Sequence, residues 1–330
     1  MNSPMNRHLI TFSTLGGPEV MCYESEVLGP LGADDVLVRH EAIGVNFIDT
    51  YYRSGLYPCE LPSGLGTEAA GVVESVGSSV SRVKPGDRVV YASTPKLGAY
   101  SDLNIVPQKS LILIPDGIDS KVAAAMTLKG LTAAYLLLKT FPLQAEHTLL
   151  VHAAAGGVGS ILTQWAKAIG AGVIGTVGRP EKVTLAKSQG CDHVYLYREV
   201  DVPEKVKGLT EGRGVDVVYD SVGKDTFVSS INSLKPRGMM VSFGNASGAV
   251  PEFAPLLLAQ KGSLFLTRPR LGDYVANIDE QQELANALFG QVLAGNINIK
   301  LSREFALKDA VTAHEALESG DTTGSVVLVP

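Results

Sequence analysis

Gly156-Gly-Val-Gly159 follows a fully apolar run, Leu149–Val151, and precedes a segment, Ser160–Ile169, with apolar residues at helical spacing. Glycines placed this way suit one kind of chemistry. They let a diphosphate come against bare main chain, while the free N–H groups of a helix's first turn point at it. The fuller pattern is Ala154-x-Gly156-x-x-Gly159, with alanine at the first small position. A glycine pattern alone also marks many ordinary strand-to-helix turns. Here its flanks narrow the choice. Leu149–Val151 reads as a strand covered on both faces, Gly170 stops the helix, and Gly172–Val177 reads as the next strand. Strand, turn, helix and strand in that order predict a dinucleotide site.

The end of the second strand bears on which dinucleotide. A site for NAD ordinarily presents Asp or Glu there to the ribose 2′-hydroxyl, about 20 residues past the glycines. This chain has Gly178-Arg-Pro-Glu-Lys182 instead. Gly178 leaves room and repels no 2′-phosphate, while Arg179 and Lys182 can supply charge-assisted contacts to one. NADPH is therefore the expected cofactor. Arg179 and Lys182 could also simply begin a solvated helix, which is the reading preferred for Arg179 alone, and Glu181 is expected past the strand end, facing solvent.

The elements that must hold these residues divide in two. Up to about residue 125 the chain reads as short strands broken by glycine and proline: Asp35–His40, Ala70–Val76 and Asp87–Tyr91. Ala123–Leu128 and Leu131–Leu138 then read as helical. From Leu149 strands and helices alternate, with strands at Leu149–Val151, Gly172–Val177, His193–Leu196, Val215–Asp220, Gly238–Phe243 and Ser263–Thr267. That alternation predicts an α/β fold with a doubly wound parallel sheet beside a β-rich domain. Helices around Glu280–Leu293 and Leu307–Glu318 follow, and a last strand, Gly324–Val329, is expected to return to the N-terminal module.

Composition sets outer limits. A chain of 330 residues, 45% hydrophobic and 19% charged, has material for about two domains with sizeable cores. A net charge of −6 gives no reason to expect nucleic acid or an anionic membrane as partner. Cys22, Cys59 and Cys191 lie too far apart for a metal knuckle or disulfide framework, which predicts a reducing, cytoplasmic setting. The segment Met1–His8 lacks the apolar core of a signal peptide, and no apolar run is expected to reach membrane-spanning length.

Several segments together resemble the zinc-free quinone oxidoreductases, or ζ-crystallin-like enzymes, of the medium-chain dehydrogenase/reductase superfamily. They are Gly16–Val20, Ile43–Tyr51, Arg53–Pro58, Gly66–Gly71, Lys129–Thr132, the glycine turn, Tyr219–Gly223 and Ser242–Asn245. The resemblance implies a GroES-like catalytic domain (1–127 and 271–330), a Rossmann domain (128–270) binding NADPH, and a cleft between them. It implies quinone reduction by hydride transfer, and a homodimer through the Rossmann domain, for which the apolar Ser263–Thr267 strand could be the edge. Zinc-dependent relatives carry a cysteine and a histidine at positions that look to be Asn46, or its neighbours, and Thr67. An amide and a hydroxyl are poor Zn²⁺ ligands, and three cysteines cannot build a four-cysteine lobe, so no metal is expected and Glu68 becomes a structural carboxylate.

The same resemblance supplies the rest of the candidate site. It implies that Asn46 lies beside the nicotinamide, with Phe47, on the same loop, among the cofactor contacts. Tyr51 and Tyr57 could offer an O–H to the developing oxyanion of a reduced quinone, although tyrosines also commonly fill cleft walls. Thr132 and Tyr135, at the start of a helix, would reach the phosphate and nicotinamide ends of the cofactor. Gly156, Gly157, Val158 and Gly159 would hold the diphosphate, with Gly178, Lys182 and Tyr197 at the 2′-phosphate. Val222, Phe243, Gly244, Asn245, Thr267, Arg268, Pro269 and Arg270 follow strand ends where the family closes over the cofactor. Relatives often have Arg in a Glu-Ser-Arg tail segment, where this chain has Glu318-Ser-Gly320, so selectivity for NADPH is expected to be lower than theirs. His152, before the glycine turn, is read as packing. Two alternatives remain: a reductase of activated C=C bonds in enones or alkenals, and an RNA-binding protein with vestigial catalysis. No basic stripe or aromatic platform supports the latter.

Overall fold

The computed structural model describes residues 5–94, 96–320 and 322–330, so the first four residues of the Met1–His8 segment lie outside it. In the first part of the chain β1 (Asn6–Phe12) and β2 (Met21–Val27) form an antiparallel pair, to which β4 (Ser63–Gly64) adds, while β3 (Asp35–Val45) begins a larger sheet. That sheet takes in β5 (Glu68–Val76), β6 (Arg88–Ala92), β7 (Leu103–Pro107) and β8 (Ile112–Leu113), all paired antiparallel. Strand β3 runs five residues past the expected His40. Its pairing with β5 shifts register between His40 and Ala42, and such a bulge breaks the period-two alternation on which the expected boundary rests.

The central part holds β9 (Thr148–Val151), β10 (Gly172–Val177), β11 (His193–Leu196), β12 (Val215–Asp220), β13 (Leu234–Ser242) and β14 (Phe265–Thr267). All neighbours are parallel, in the order β11-β10-β9-β12-β13-β14. The order reverses between β9 and β12, and a doubly wound sheet takes its ligands outside the carboxyl ends at such a switch point. Apolar side chains of β9 and β12 are buried throughout, as strands covered on both faces require. Strand β14 begins two residues later than expected, because Gly262 and Ser263 hold positive φ of 113° and 57° and turn the chain first.

The tail supplies β15 (Leu301–Ala306), helix Ala310–Glu318 and β16 (Ser325–Val329). Strand β16 pairs parallel with β15 and antiparallel with β3, so the tail does return to the N-terminal sheet. The chain thus forms two units: Met1–Lys129 with Asn277–Phe289 and Ile299–Pro330, and Gly130–Ala276 with Gly290–Asn298. Gln164 holds the last of these segments, accepting from Asn298 N–H at 2.9 Å and donating to Asn298 O at 3.3 Å.

One helical region corrects two expectations. Ser120–Tyr135 is a single α-helix that Gly130 does not interrupt, and it continues into a π-helical turn, Leu136–Thr140. Thr132 and Tyr135 therefore lie in its closing turns rather than at a helix start. The whole of Ser120–Thr140 is also long and apolar enough to cross a membrane by length and composition, against the expectation that no run reaches that length. Most of it is buried inside the protein, which accounts for its composition as that of a core helix.

Candidate functional site

The glycine turn is built around an unusual backbone. Ala153 holds a positive φ of 53°, and Gly156 N–H donates back to Ala153 O at 2.8 Å. Gly156 caps the helix Gly157–Ile169, so the helix starts three residues earlier than its apolar pattern suggests. Gly157, Val158 and Gly159 therefore form the first turn, whose N–H groups have no partner within the helix and point along its axis. A side chain at Gly159 would overlap the Ala153 carbonyl oxygen and come within 3.0 Å of Ala154 Cα. Only glycine lets this helix approach its strand so closely.

Among the described residues, β10 ends at Val177 and is followed by Gly178, not by a carboxylate. Gly178 is exposed, and a Cβ there would lie 3.3 Å from Cε1 of Tyr197, which follows β11. Lys182 closes a 3-10 turn, Pro180–Lys182, and is half-buried. Arg179 and Glu181 are exposed and pair at 3.8 Å. Arg198, a residue outside the expected set, lies over the Tyr197 ring at 5.1 Å and pairs with Asp225 at 3.4 Å.

The remaining candidates of this unit sit past β12, β13 and β14. The loop after β12 is tied by Asp220, fully buried, which accepts from the Val222 and Gly223 N–H groups and from the Thr226 and Ser230 hydroxyls at 2.7–3.0 Å. Phe243 N–H donates to Asp220 O at 2.8 Å, which fastens the next loop to the same residue. Arg268 donates to Ser242 O at 3.1 Å, and the Asn245 amide, in the orientation its neighbours favour, donates to Gly244 O and accepts from Arg268. Arg270 differs: exposed like Arg268, it makes a bidentate pair with Asp273 at 2.7 and 3.1 Å. Thr267 ends β14 and Pro269 is buried. Tyr135 stacks on Tyr274 with centroids 4.3 Å apart, and Thr140 donates to the Tyr274 hydroxyl. His152 is fully buried, hydrogen-bonded through Nδ1 to Thr176 at 2.7 Å, and burial lowers its pKa.

In the other unit Asn46 caps the helix Phe47–Ser54, and Asp49, at the third helical position, accepts its N–H at 2.9 Å. Phe47 is exposed. Tyr51 and Tyr57 are half-buried and meet edge to face at 5.3 Å. Beneath Asn46 runs a buried polar network. The Asn46 amide donates to Glu68 Oε2 at 2.9 Å, and the Lys129 ammonium lies 3.7 Å from that oxygen. Thr67 and Tyr100 donate to the two Asp49 oxygens at 3.1 and 3.0 Å. Tyr100 meets His314 Nε2 at 3.0 Å, Arg53 meets His314 Nδ1 at 2.8 Å, and Arg53 pairs with Glu318 at 2.7 Å.

The proton positions in that chain follow from the donors. Arginine cannot accept, so His314 Nδ1 is the acceptor and its proton sits on Nε2, directed at the Tyr100 oxygen. Tyr100 is then left to donate to Asp49. Burial opposes the charge on Asp49 and raises its pKa to about 7, against the hydrogen bonds and the Lys129 charge that lower it. Burial and the Arg53 charge hold His314 down at about 3.

A pH effect follows. Unfolded, His314 takes its proton near pH 6.5; folded, it does not until about 3. Its stability contribution is thus complete above pH 6.5 and falls as the pH drops below that value. His314→Gln, which can still accept from Arg53 and donate to Tyr100, lacks this dependence. Wild type should lose about 2 kcal/mol relative to the variant between pH 6.5 and 5. Urea unfolding at the two pH values measures it, and a constant difference would refute the assignment.

Residues 157–285 match the zinc-binding dehydrogenase family, and residues 32–116 the GroES-like domain of alcohol dehydrogenases. Quinone oxidoreductase from Pseudomonas aeruginosa is 52% identical over 322 residues, 97% of this chain and 99% of that one. The chain belongs to the quinone oxidoreductase family. The crystal structure of Escherichia coli quinone oxidoreductase complexed with NADPH superposes with a TM-score of 0.96 at 48% identity, covering 98% of this chain and all of that one. A 2-haloacrylate reductase from Burkholderia sp is 42% identical, over 96% of both chains. At the two positions expected in place of a zinc cysteine and histidine, Asn46 donates to Glu68 and Thr67 donates to Asp49, and the cation beside Glu68 is the Lys129 ammonium.

The sequence pattern gives no role to Lys129 and does not single out Asp49, Tyr100, His314 or Arg53. Asp49 does carry a local signal, since an acidic residue three positions after an Asn cap is a capping box. The others meet across 51 to 261 residues and leave no local trace.

Proposed function

We propose that this chain reduces quinones with NADPH in a reaction that needs no metal. The observation that carries the reading is the end of β10, where Gly178, Lys182 and Tyr197 stand in place of an acidic residue. A 2′-phosphate is accommodated there and a bare 2′-hydroxyl finds no carboxylate. The helix first turn at Gly157–Gly159 fits the diphosphate. When bound, NADPH supplies a hydride, and with one proton the quinone becomes the hydroquinone. The chain's own residues bind, orient and exclude water. Asn46 orients the nicotinamide carboxamide, and the Tyr51 and Tyr57 hydroxyls donate to the oxygen on which charge develops; the proton comes from water.

The test is a steady-state panel of 1,4-benzoquinone, 9,10-phenanthrenequinone and a simple enone with each cofactor. Quinone turnover with NADPH should dominate. Lys182→Ala should raise the KM for NADPH by about ten- to a hundredfold, as removal of a charge-assisted hydrogen bond implies, and leave the KM for NADH nearly unchanged. Equal effects on the two cofactors would remove the 2′-phosphate role. The 2-haloacrylate reductase among the relatives keeps the second reading, reduction of an activated C=C bond, in view. A preference for the enone would select it.

The same reading includes a homodimer. Strand β14 is the edge of its sheet and exposes Phe265, and an apolar open edge is suited to pairing with a second copy. Light scattering tests this. Three unpaired cysteines support a reducing, cytoplasmic setting.

A further inference from the structure

The carboxylate of Glu68 is fully buried, and the fold leaves room for it at Gly44, where a side chain would overlap Glu68 Oε2. Its two oxygens have separate partners. Oε1 accepts from Leu128 N–H at 2.5 Å, and Oε2 accepts from the Asn46 amide at 2.9 Å. The Lys129 ammonium stands 3.7 Å from Oε2, buried, and makes no hydrogen bond within normal distance to any described residue. Asp49, with Thr67 and Tyr100 donating to it, is the other charged group acting on Lys129. Stability does not explain such a pair, since replacing a buried ion pair by neutral groups of similar volume is often neutral or stabilising.

We infer that the Lys129–Glu68 pair is a positioning device for Asn46, fixing which edge of its amide faces the cofactor. The inference rests on the reading that Asn46 meets the nicotinamide. An amide has a donor edge and an acceptor edge, nearly equal in shape. Rotating the Asn46 amide by half a turn would set its Oδ1 against the Glu68 carboxylate, acceptor against acceptor. That penalty exists only while Glu68 is ionised. A protonated Glu68 could donate to Oδ1 and would tolerate both orientations. Burial drives a carboxyl toward the neutral form, and a nearby positive charge opposes it. Both act on Glu68: burial raises its pKa, and the Lys129 charge is the largest influence lowering it. Lys129 keeps Glu68 charged, Glu68 keeps the Asn46 Nδ2 inward, and the ligand meets one fixed arrangement of donor and acceptor.

A double-mutant cycle on NADPH affinity, followed by cofactor fluorescence, tests this. Asn46→Ala should weaken binding about tenfold, the loss of one good hydrogen bond to a ligand. Lys129→Met should cost about as much, and the double variant should bind no worse than Asn46→Ala alone, because Lys129 acts through Asn46. Where Lys129→Met fails to fold, the neutral pair Glu68→Gln/Lys129→Met provides the measurement. It should melt near the wild-type temperature yet bind about tenfold more weakly, since a glutamine whose oxygen keeps the Leu128 N–H turns its own amide N–H groups to Asn46 and reverses the Asn46 edge. Independent, multiplying losses from Asn46→Ala and Lys129→Met, or a neutral pair that binds like wild type, would overturn the inference while leaving the cofactor assignment standing. A wild-type chain that did not bind NADPH would overturn both.

Discussion

Gly159→Ala is expected to weaken NADPH binding by at least about a hundredfold and to lower the melting temperature by several degrees. The added methyl would overlap the Ala153 carbonyl oxygen and press on Ala153 C and Ala154 Cα at 3.0 Å. These are main-chain atoms, not the end of a side chain that can swing away. Ala153 is already held at a positive φ and has little freedom to yield. The helix must therefore back away from β9, and its first-turn N–H groups leave the diphosphate position. Two charge-assisted hydrogen bonds to a diphosphate are worth about 3 kcal/mol or more, hence the hundredfold. Forcing a methyl into a packed turn costs a further 1–3 kcal/mol of stability, roughly. Calorimetry and a cofactor titration on the same sample separate the two. A variant that binds NADPH normally would show that the helix tolerates the shift and that the glycine serves packing alone.

Asp220→Ala should cost more stability than Gly159→Ala or His314→Gln. The carboxylate accepts from two loop N–H groups and from the Ser230 hydroxyl, and it takes the Thr226 hydroxyl on both oxygens. All are buried, so removal leaves donors without partners at about 1–3 kcal/mol each. A loss above about 4 kcal/mol is expected, a large share of the roughly 5–15 kcal/mol that holds a typical protein folded. Asp220→Asn, which keeps the volume and one acceptor oxygen, should lose roughly half as much. Urea unfolding measures both. A cost below about 1 kcal/mol for the alanine would mean that the loop finds other acceptors.

The parts of this fold that could be read in advance share a physical cause. Strands β9, β10 and β12 are covered on both faces, so their sequences are largely apolar, the exceptions being buried polar residues such as Asp216 and Thr176. The glycine turn announced itself because a backbone site for phosphate needs residues without side chains. Strand β2 left no such mark. Met21-Cys-Tyr-Glu-Ser-Glu-Val27 buries only its first residue, and neither alternation nor a run survives that exposure. The site divides along the same line. Gly178 and Lys182 could be proposed in advance because they follow a readable strand, whereas Tyr197 came only with the family resemblance. His314 was not, because its meaning comes from Tyr100 and Arg53, residues brought to it from distant parts of the chain. Lys129 entered only within the Lys129–Thr132 segment that resembles the family, and the carboxylate beside it is what gives its charge a partner.

The place of β16 has a consequence for how the chain is made. This strand lies between β15 and β3, so a sheet begun before residue 45 acquires that neighbour only when Ser325–Val329 emerges from the ribosome. The whole central unit is synthesised in between, and its parallel sheet needs nothing from the tail strand. The central unit can therefore fold early while the first sheet waits with one side of β3 open. Synthesis that stops short of Ser325 would leave a cofactor-binding unit attached to a sheet with an unpaired apolar edge, the kind of surface that recruits other chains. Prematurely ended molecules of this protein should accumulate as aggregates, not as small active fragments.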